Sequence, residues 1–434
     1  MNKSIVIIGS SIAGMTAAIA AKDTCPQCSV TVLDEDLDMP YRRPSITSIL
    51  EGTTRDIEDI AIYHDSAREL GIKILRGFKA IDLNTSNQVL KVMKIDGSTS
   101  EITYDVLILA TGAKVSKLDI EGVNLKGVFT FRSAKDALDI TKYIEHHKKV
   151  VIIGASFTAL LTAEALIKRG LKISMVVRSR VLRRLVEPST SDIIESYLKK
   201  VGVNLLKKVT VEKIIGENKV EKVLLSDGRI IDADVVIFAI GSKPRVDLAM
   251  KAGTRIVQGV IDVNKFMETS IPNIYAAGDC AYSWDLITGN KIYVPTATTA
   301  STFGKVAGLN AVGKSIEAPK IIRIQYERFL DLEIISAGYT SDEAIAVGLP
   351  AKHMDLTNEI IRRYNLWRTN IIKLDVTLGS KDRIIGVRVI GLHNSRLFAY
   401  PFIYAIAKGL KLSDVLEKLH PTIPAFSREP MFMR

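Results

Sequence analysis

The feature that most restricts how this chain can fold is a unit that occurs twice, as "KSIVIIGSSIAGMTAAIAAK" from Lys3 and as "KKVVIIGASFTALLTAEALIKRG" from Lys148. Each begins with a β-branched apolar run, passes through a glycine turn and continues into a stretch rich in alanine. The expected structure is a buried strand, a tight turn and a helix with small residues on its inner face. In the first copy Gly9, Ser11 and Gly14 follow G-x-S-x-x-G spacing, and in the second the corresponding residues are Gly154, Ser156 and Ala159. The first position permits the turn, the second lets backbone approach a pyrophosphate, and the third lets helix pack on strand. An anion at the helix N-terminus meets unpaired N–H groups and the positive end of the helix dipole. Two dinucleotide sites are implied, and at 434 residues the chain is long enough to divide into two or three domains.

The residues after each unit refine this reading. The second strand of the first unit, in "SVTVLDED", ends at Asp34, 20 residues beyond Gly14, where a carboxylate accepts hydrogen bonds from ribose hydroxyls. The corresponding strand of the second unit, in "KISMVVRSRVLRR", runs instead into Arg178, Arg180, Arg183 and Arg184. Arginines pair bidentately with a 2′-phosphate that a carboxylate would repel, so NADP(H), or dual use with NAD(H), is expected there. Further buried strands end in small-residue turns at "YDVLILATGA", with Thr111 and Gly112, and at "ADVVIFAIGSKPRV", with Gly241. Another such strand is "TSIPNIYAAGDCA", where Asp279 follows Gly278 at a strand end and suits a ribityl hydroxyl.

Composition excludes several classes. Hydrophobic residues at 47% with 25% charged residues describe a folded globular chain rather than a disordered one. No apolar run approaches the ~20 residues of a membrane span, and the first strand begins too early to leave room for a secretory signal, so a cytoplasmic protein is expected. The net charge of +11 is spread along the chain without a basic stripe interleaved with aromatics, which argues against nucleic acid. Of the three cysteines, Cys25 and Cys28 form a C-x-x-C, read as a surface turn that a local disulfide closes or as a working dithiol. Nothing nearby completes a metal site, and none is expected.

Taken in order, the two glycine turns, "ILATGA", "FAIGSKP" and "NIYAAGDCA" resemble the two-dinucleotide flavoproteins of the pyridine nucleotide-disulfide oxidoreductase superfamily over essentially the whole chain. The resemblance implies an α/β fold with two Rossmann-like dinucleotide-binding domains, glutathione-reductase-like, plus a C-terminal α+β dimerisation domain. It places FAD on Gly9, Ser11, Gly14, Asp34 and Asp279, and NAD(P)H on Gly154, Ser156, Ala159 and Gly241. "VFTFRSAKDA" is similar to the linker that brings Arg132 to the FAD. The boundaries expected are 1–114 with 245–318 for FAD, 115–244 for NAD(P)H and 319–434 for the third domain. Leu161 stands where many relatives carry a glutamate beside the nicotinamide.

The segment "DEDLDMPYRRPSITSIL" carries the sharpest departure. Disulfide-reducing members place a redox cysteine after the first acidic strand, and Pro44 holds that position here. Ser45 is adjacent, but a hydroxyl cannot cycle between thiolate and disulfide. The segment instead resembles the flavin-wrapping stretch of rubredoxin- and ferredoxin-reductase-like enzymes, with Tyr41, Arg43, Pro44, Ile46 and Thr47 at the matching places and Arg43 directed at the FAD.

Alternating apolar residues after Lys314 indicate antiparallel strands, with a hairpin around Gly379 to Asp382 and a helix at about Leu397 to Gly409. This part resembles the dimerisation domain of the CoA disulfide reductase and NADH oxidase branch and implies a homodimer. His420, in "LHPTIPAFS", is the candidate acid/base by resemblance to glutathione-reductase-like enzymes, set against a plain interface or flavin-edge contact.

The expected function is an FAD enzyme that takes hydride from NAD(P)H and passes electrons directly to a carrier protein of ferredoxin or rubredoxin type, or to dioxygen. Positive charge favours an acidic carrier. The alternatives are a CoA-disulfide or polysulfide reductase, or an NADH oxidase-like enzyme, and from another class a non-catalytic flavoprotein sensor.

Overall fold

The protein builds three five-stranded sheets, two parallel and one antiparallel, in a computed structural model that describes residues 2–363 and 370–418. In the first sheet the strands run Ile274–Ala276, Val106–Leu109, Ser4–Ile8, Ser29–Asp34 and Lys73–Arg76, all parallel. The second repeats the pattern with Asn204–Lys207, Lys172–Val177, Lys149–Ile153, Val235–Phe238 and Val128–Thr130. Strands buried on both faces read as continuous apolar runs, which is why "SIVII", "VLIL", "KVVII" and "VVIF" were recognisable. In each sheet the strand that enters the glycine turn lies in the middle, with later strands added on both sides. That is a topological switch point, and the crevice at its carboxyl end is where doubly wound sheets bind ligands.

The helix Ile12–Thr24 packs against the helix Ala297–Ala311 along small residues. A Cβ on Gly304 would lie 2.4 Å from the Ala13 carbonyl oxygen, and one on Gly308 2.2 Å from that of Ala17. The two backbones therefore touch only because neither position carries a side chain. At the far end of the first helix Cys25 and Cys28 are joined by a disulfide, and both are buried. The turn is more than a surface feature, since the Lys22 ammonium closes it by donating to the carbonyls of Pro26 at 2.7 Å and Cys28 at 2.9 Å.

The third sheet is antiparallel, in the order Ile324–Phe329, Leu332–Gly338, Ile384–Leu392, Ile371–Leu378 and Lys352–Asp355. The helix expected from Leu397 starts later. Residues Ser395–Ala399 form a 3-10 turn and the α-helix proper is Tyr400–Lys408. Pro401 sits in its first turn, where a missing N–H costs nothing, and Gly409 ends it at φ 64°.

One carboxylate couples this sheet to the second unit. Glu327 faces the helix Phe157–Lys168, where Glu164 accepts the Leu330 N–H at 3.0 Å and Lys168 bridges Glu164 and Glu51 at 2.8 Å each. Burial first, and then the Glu164 charge, push the Glu327 carboxyl up to about 7. The folded protein thus holds this proton to higher pH than the unfolded chain does, and stability falls as pH rises from the ordinary glutamate range to neutrality. Glu327→Gln is expected to gain about 1 to 2 kcal/mol at about pH 8, with most of the gain gone near pH 5. Thermal midpoints of the two proteins at both pH values measure it, and an equal offset at both would refute the assignment.

Candidate functional site

Strand Ser4–Ile8 delivers the chain into the first turn, where Gly9 adopts φ 106° and donates its N–H to the Leu33 carbonyl at 2.7 Å. A Cβ on Gly9 would lie 2.3 Å from the Ala110 carbonyl oxygen, and one on Gly14 1.9 Å from that of Gly9. Ser11 is the N-cap of the following helix, yet its hydroxyl makes no capping bond and faces Arg43 Nε at 3.4 Å. The helix N-terminus is therefore left with free donors beside a cation. At the end of the second strand Asp34 accepts from the Ser10 N–H at 2.7 Å and the Ser10 hydroxyl at 2.5 Å. Ser10 had no signal in the sequence, because its role depends on where the neighbouring strand ends.

Segments distant in sequence complete this cleft, which is lined by Ser10, Ser11, Asp34, Asp36, Tyr41 and Arg43 among others. Arg43 also reaches the Arg132 carbonyl at 3.4 Å, and Arg132 Nη2 pairs with Asp279 at 2.8 Å. Arg132 Nε is buried with no hydrogen-bond partner. A buried guanidinium N–H without an acceptor is costly, and an anionic group seated at the turn would satisfy it. Tyr41 is buried, and its oxygen accepts the Ala134 N–H at 3.0 Å, which ties the Arg43 segment to the helix after Arg132. Burial, followed by the Asp34 charge, raises the carboxyls of Asp36 and Asp38 above the usual aspartate range. Gly278, at φ 84°, brings its backbone against Ala13, whose Cβ would be 2.8 Å from an added Cβ. The Thr111 hydroxyl turns to the Arg245 carbonyl at 2.7 Å, leaving Gly112, with no atom within 4 Å of an added Cβ, as the open position of that loop. Tyr293 was not foreseen. It donates to the Asp279 carbonyl at 3.2 Å, and burial and then Asp279 push its phenol up.

The second turn repeats the geometry. Gly154 has φ 124° and a Cβ there would meet the Ala239 carbonyl oxygen at 2.3 Å. Ser156 caps the helix Phe157–Lys168, accepting from the Ala159 N–H at 3.4 Å and donating to the Ala239 carbonyl at 3.2 Å. Ala159 is fully buried, and Gly241 at φ 96° faces open space. The arginines divide. Arg178, Arg183 and Arg184 are exposed, and no side chain among the described residues pairs with them. Arg180 departs from the expectation that it meets a 2′-phosphate. Its guanidinium is committed to the Val186 carbonyl at 2.5 Å and to Asp342 at 3.2 Å, because the carboxylate at the start of the helix Ser341–Ala346 lies beside it. His420 lies outside the described residues.

No thiol sits at the Arg43–Ser45 turn. The Cys25–Cys28 disulfide is at the opposite end of a 13-residue helix from the glycine turn, about 20 Å away at the usual helical rise. Cys280 is fully buried, its thiol donates to the carbonyls of Leu109 and Ala277 at 3.3 Å each, and burial raises it above the ordinary cysteine range. A neutral, enclosed thiol of this kind is not a nucleophile.

Comparison with known proteins agrees with this geometry. A family model described as pyridine nucleotide-disulphide oxidoreductase matches residues 3–303. A protein of Methanocaldococcus jannaschii named NADH oxidase is 35% identical over 89% of this chain and 87% of its own length. A Pyrococcus horikoshii protein named NAD(P)H coenzyme A polysulfide/persulfide reductase is 36% identical over 90% of this chain and 88% of its own. The solved structure of an NAD-dependent persulfide reductase from A. fulgidus superposes with a TM-score of 0.90 at 28% identity, over 98% of this chain and 80% of that one.

Proposed function

From its membership of the pyridine nucleotide-disulphide oxidoreductase family, by which this chain is an enzyme that binds FAD and a nicotinamide dinucleotide, we propose that its electrons leave the flavin directly. The acceptor in this reading is a one-electron carrier protein or dioxygen, with no protein thiol in between. We assign FAD to Gly9, Ser11, Gly14, Asp34, Arg43, Thr111, Gly112, Arg132, Gly278 and Asp279. NADPH or NADH is assigned to Gly154, Ser156, Ala159, Gly241 and Arg178. The flavin, when bound, supplies two-electron uptake from nicotinamide and release to an acceptor. The chain's own part is to hold phosphate at two helix N-termini, with Arg43 and Arg132 supplying charge and Asp34 and Asp279 accepting hydrogen bonds from hydroxyls.

The observation that supports this reading is that the turn Arg43–Ser45 carries a proline and a serine and no cysteine, at the place where the resemblance puts a redox thiol. The names of two of these relatives favour a second reading, reduction of a CoA persulfide or polysulfide, and the missing thiol opposes it, while a third is named NADH oxidase. Anaerobic titration of the yellow protein with NADPH separates them. We expect full bleaching at one equivalent per flavin and rapid reoxidation in air, unchanged in the Cys25→Ser/Cys28→Ser double variant. Uptake of a second equivalent, or its loss in the double variant, would replace this reading with the thiol one.

The domain boundaries 1–114 with 245–318, 115–244 and 319–434 belong to the same proposal. So does a homodimer formed through the third domain, where Leu397, Tyr400 and Tyr404 expose apolar surface. An acidic carrier suits the net charge of +11. No helix among the described residues is long and apolar enough to cross a membrane, and a cytoplasmic location completes the reading.

A further inference from the structure

The loop between the strand Lys172–Val177 and the helix Pro188–Lys200 carries the exposed arginines Arg178, Arg183 and Arg184, and it is held from two sides. On one side the Leu182 N–H donates at 2.9 Å to the carbonyl of Ala155, inside the second glycine turn. Leu182 is buried at φ 50°, a left-handed conformation that a leucine keeps only when its surroundings impose it. On the other side the third domain grips the same loop. The Leu185 carbonyl accepts from Ser336 Oγ at 2.6 Å and Arg388 Nε at 3.3 Å. Glu187 accepts from the Ser341 N–H and hydroxyl at 2.8 Å each. Arg180 reaches Asp342, and the Thr190 hydroxyl donates to Asp375.

Arg388 and Asp375 are fully buried and Glu187 nearly so. Burial pushes the Arg388 guanidinium down to about 10, which leaves it charged at neutral pH. The third domain has its own apolar core between sheet and helices, and these charges lie on the side of the sheet that meets the loop. Enclosing an arginine and two carboxylates costs desolvation that only well-formed pairing and hydrogen bonds offset, so these groups are held to the partners they have. What they fix here is the backbone from Leu182 to Thr190, and with it the directions of the arginines.

We propose that Ser336, Ser341 and Arg388 are positioning residues for dinucleotide choice, through which the third domain sets the arginine loop against the 2′-phosphate of NADPH. This rests on the reading that the loop meets that phosphate. A 2′-phosphate contact has no counterpart in NADH, so loosening the loop must separate the two dinucleotides, whereas general destabilisation must not.

The test is steady-state kinetics of the full-length holoenzyme with NADPH and with NADH, using ferricyanide as acceptor. The variants are Ser336→Ala, Ser341→Ala and their combination, with Arg178→Ala/Arg183→Ala/Arg184→Ala as reference. Each lost hydrogen bond is expected to raise KM for NADPH roughly three- to tenfold, with KM for NADH, kcat and flavin content within about twofold of wild type. Ser341→Thr, which keeps the hydroxyl, restores the NADPH value. An arginine variant that shifts the NADPH-to-NADH ratio while the serine variants leave it unchanged overturns this inference alone. So does an equal rise of KM for both dinucleotides, which marks a merely structural contact. An arginine variant without effect on the ratio, or a wild type that uses only NADH, removes the reading of the loop and this inference with it.

Discussion

Gly14→Val is expected to yield a colourless protein. The Cβ of any residue at position 14 would lie 1.9 Å from the Gly9 carbonyl oxygen and 3.3 Å from the Ile7 side chain, and both neighbours belong to the central strand and its turn. Helix Ile12–Thr24 has little room to shift, since the neighbouring face at Ala13 and Ala17 is in backbone contact with Ala297–Ala311 through Gly304 and Gly308. The turn must therefore open, and the geometry that aims the helix N-terminus and Arg43 at one point is lost. Overpacking at a site this rigid costs at least the ~1 to 3 kcal/mol of an ordinary core insertion. A fall in flavin per polypeptide of roughly tenfold or more follows, at about 1.4 kcal/mol per decade. Absorbance of the purified variant measures it, and a variant retaining stoichiometric flavin would show that the first turn is not the FAD site. The same change in the second unit, Ala159→Val, should spare flavin content, which makes it the internal control.

The second large effect is on stability. Arg388→Met removes the guanidinium donors to the Leu185 carbonyl and to Thr377 Oγ1, bonds of 3.3 and 2.7 Å. It also takes a positive charge away from Glu187 and Asp375, both enclosed. Asp375 keeps His353 at 2.9 Å and Lys373 at 3.7 Å, so the loss is not that of an isolated carboxylate. Removing one partner of a buried ionic network commonly destabilises by about 3 to 5 kcal/mol, because the remaining charges cannot regain water. We expect a loss in that range from denaturant unfolding, with Arg388→Lys recovering only part, since an ammonium lacks the planar fork that spans two acceptors. A methionine variant as stable as wild type would mean that the network is electrostatically idle.

These two positions illustrate how unevenly the sequence discloses the molecule. Gly14 is legible because a short-range rule governs it: strand, turn and helix lie within a few residues, and the spacing itself states the steric demand. Asp34, Gly154 and Gly278 are legible for the same reason. Arg388 reads simply as one cation among the apolar residues of "RIIGVRVIGL". Its partners are Leu185 and Thr377, and nothing in the local pattern announces that they meet. Arg180 is the converse case. Its place after the strand suggests a phosphate ligand, and a carboxylate from a segment 162 positions away claims it instead.

The sequence by itself determined the architecture: apolar runs buried on both faces form parallel strands, and glycines at fixed intervals permit the two close turns to which the dinucleotides are assigned. It also determined that no cysteine stands in the segment that follows the second strand, Glu35 to Leu50. Only the tertiary structure decided which charges gather beside the first turn. Arg43, Arg132 and Asp279 converge from separate elements, Tyr293 and Ser10 join them, and Arg180 is withdrawn. The physical reason is range. Backbone conformation and hydrophobic periodicity act between near neighbours in the chain, whereas a side chain's charge is spent on whatever opposite charge or carbonyl the packing of distant segments brings within about 3 Å.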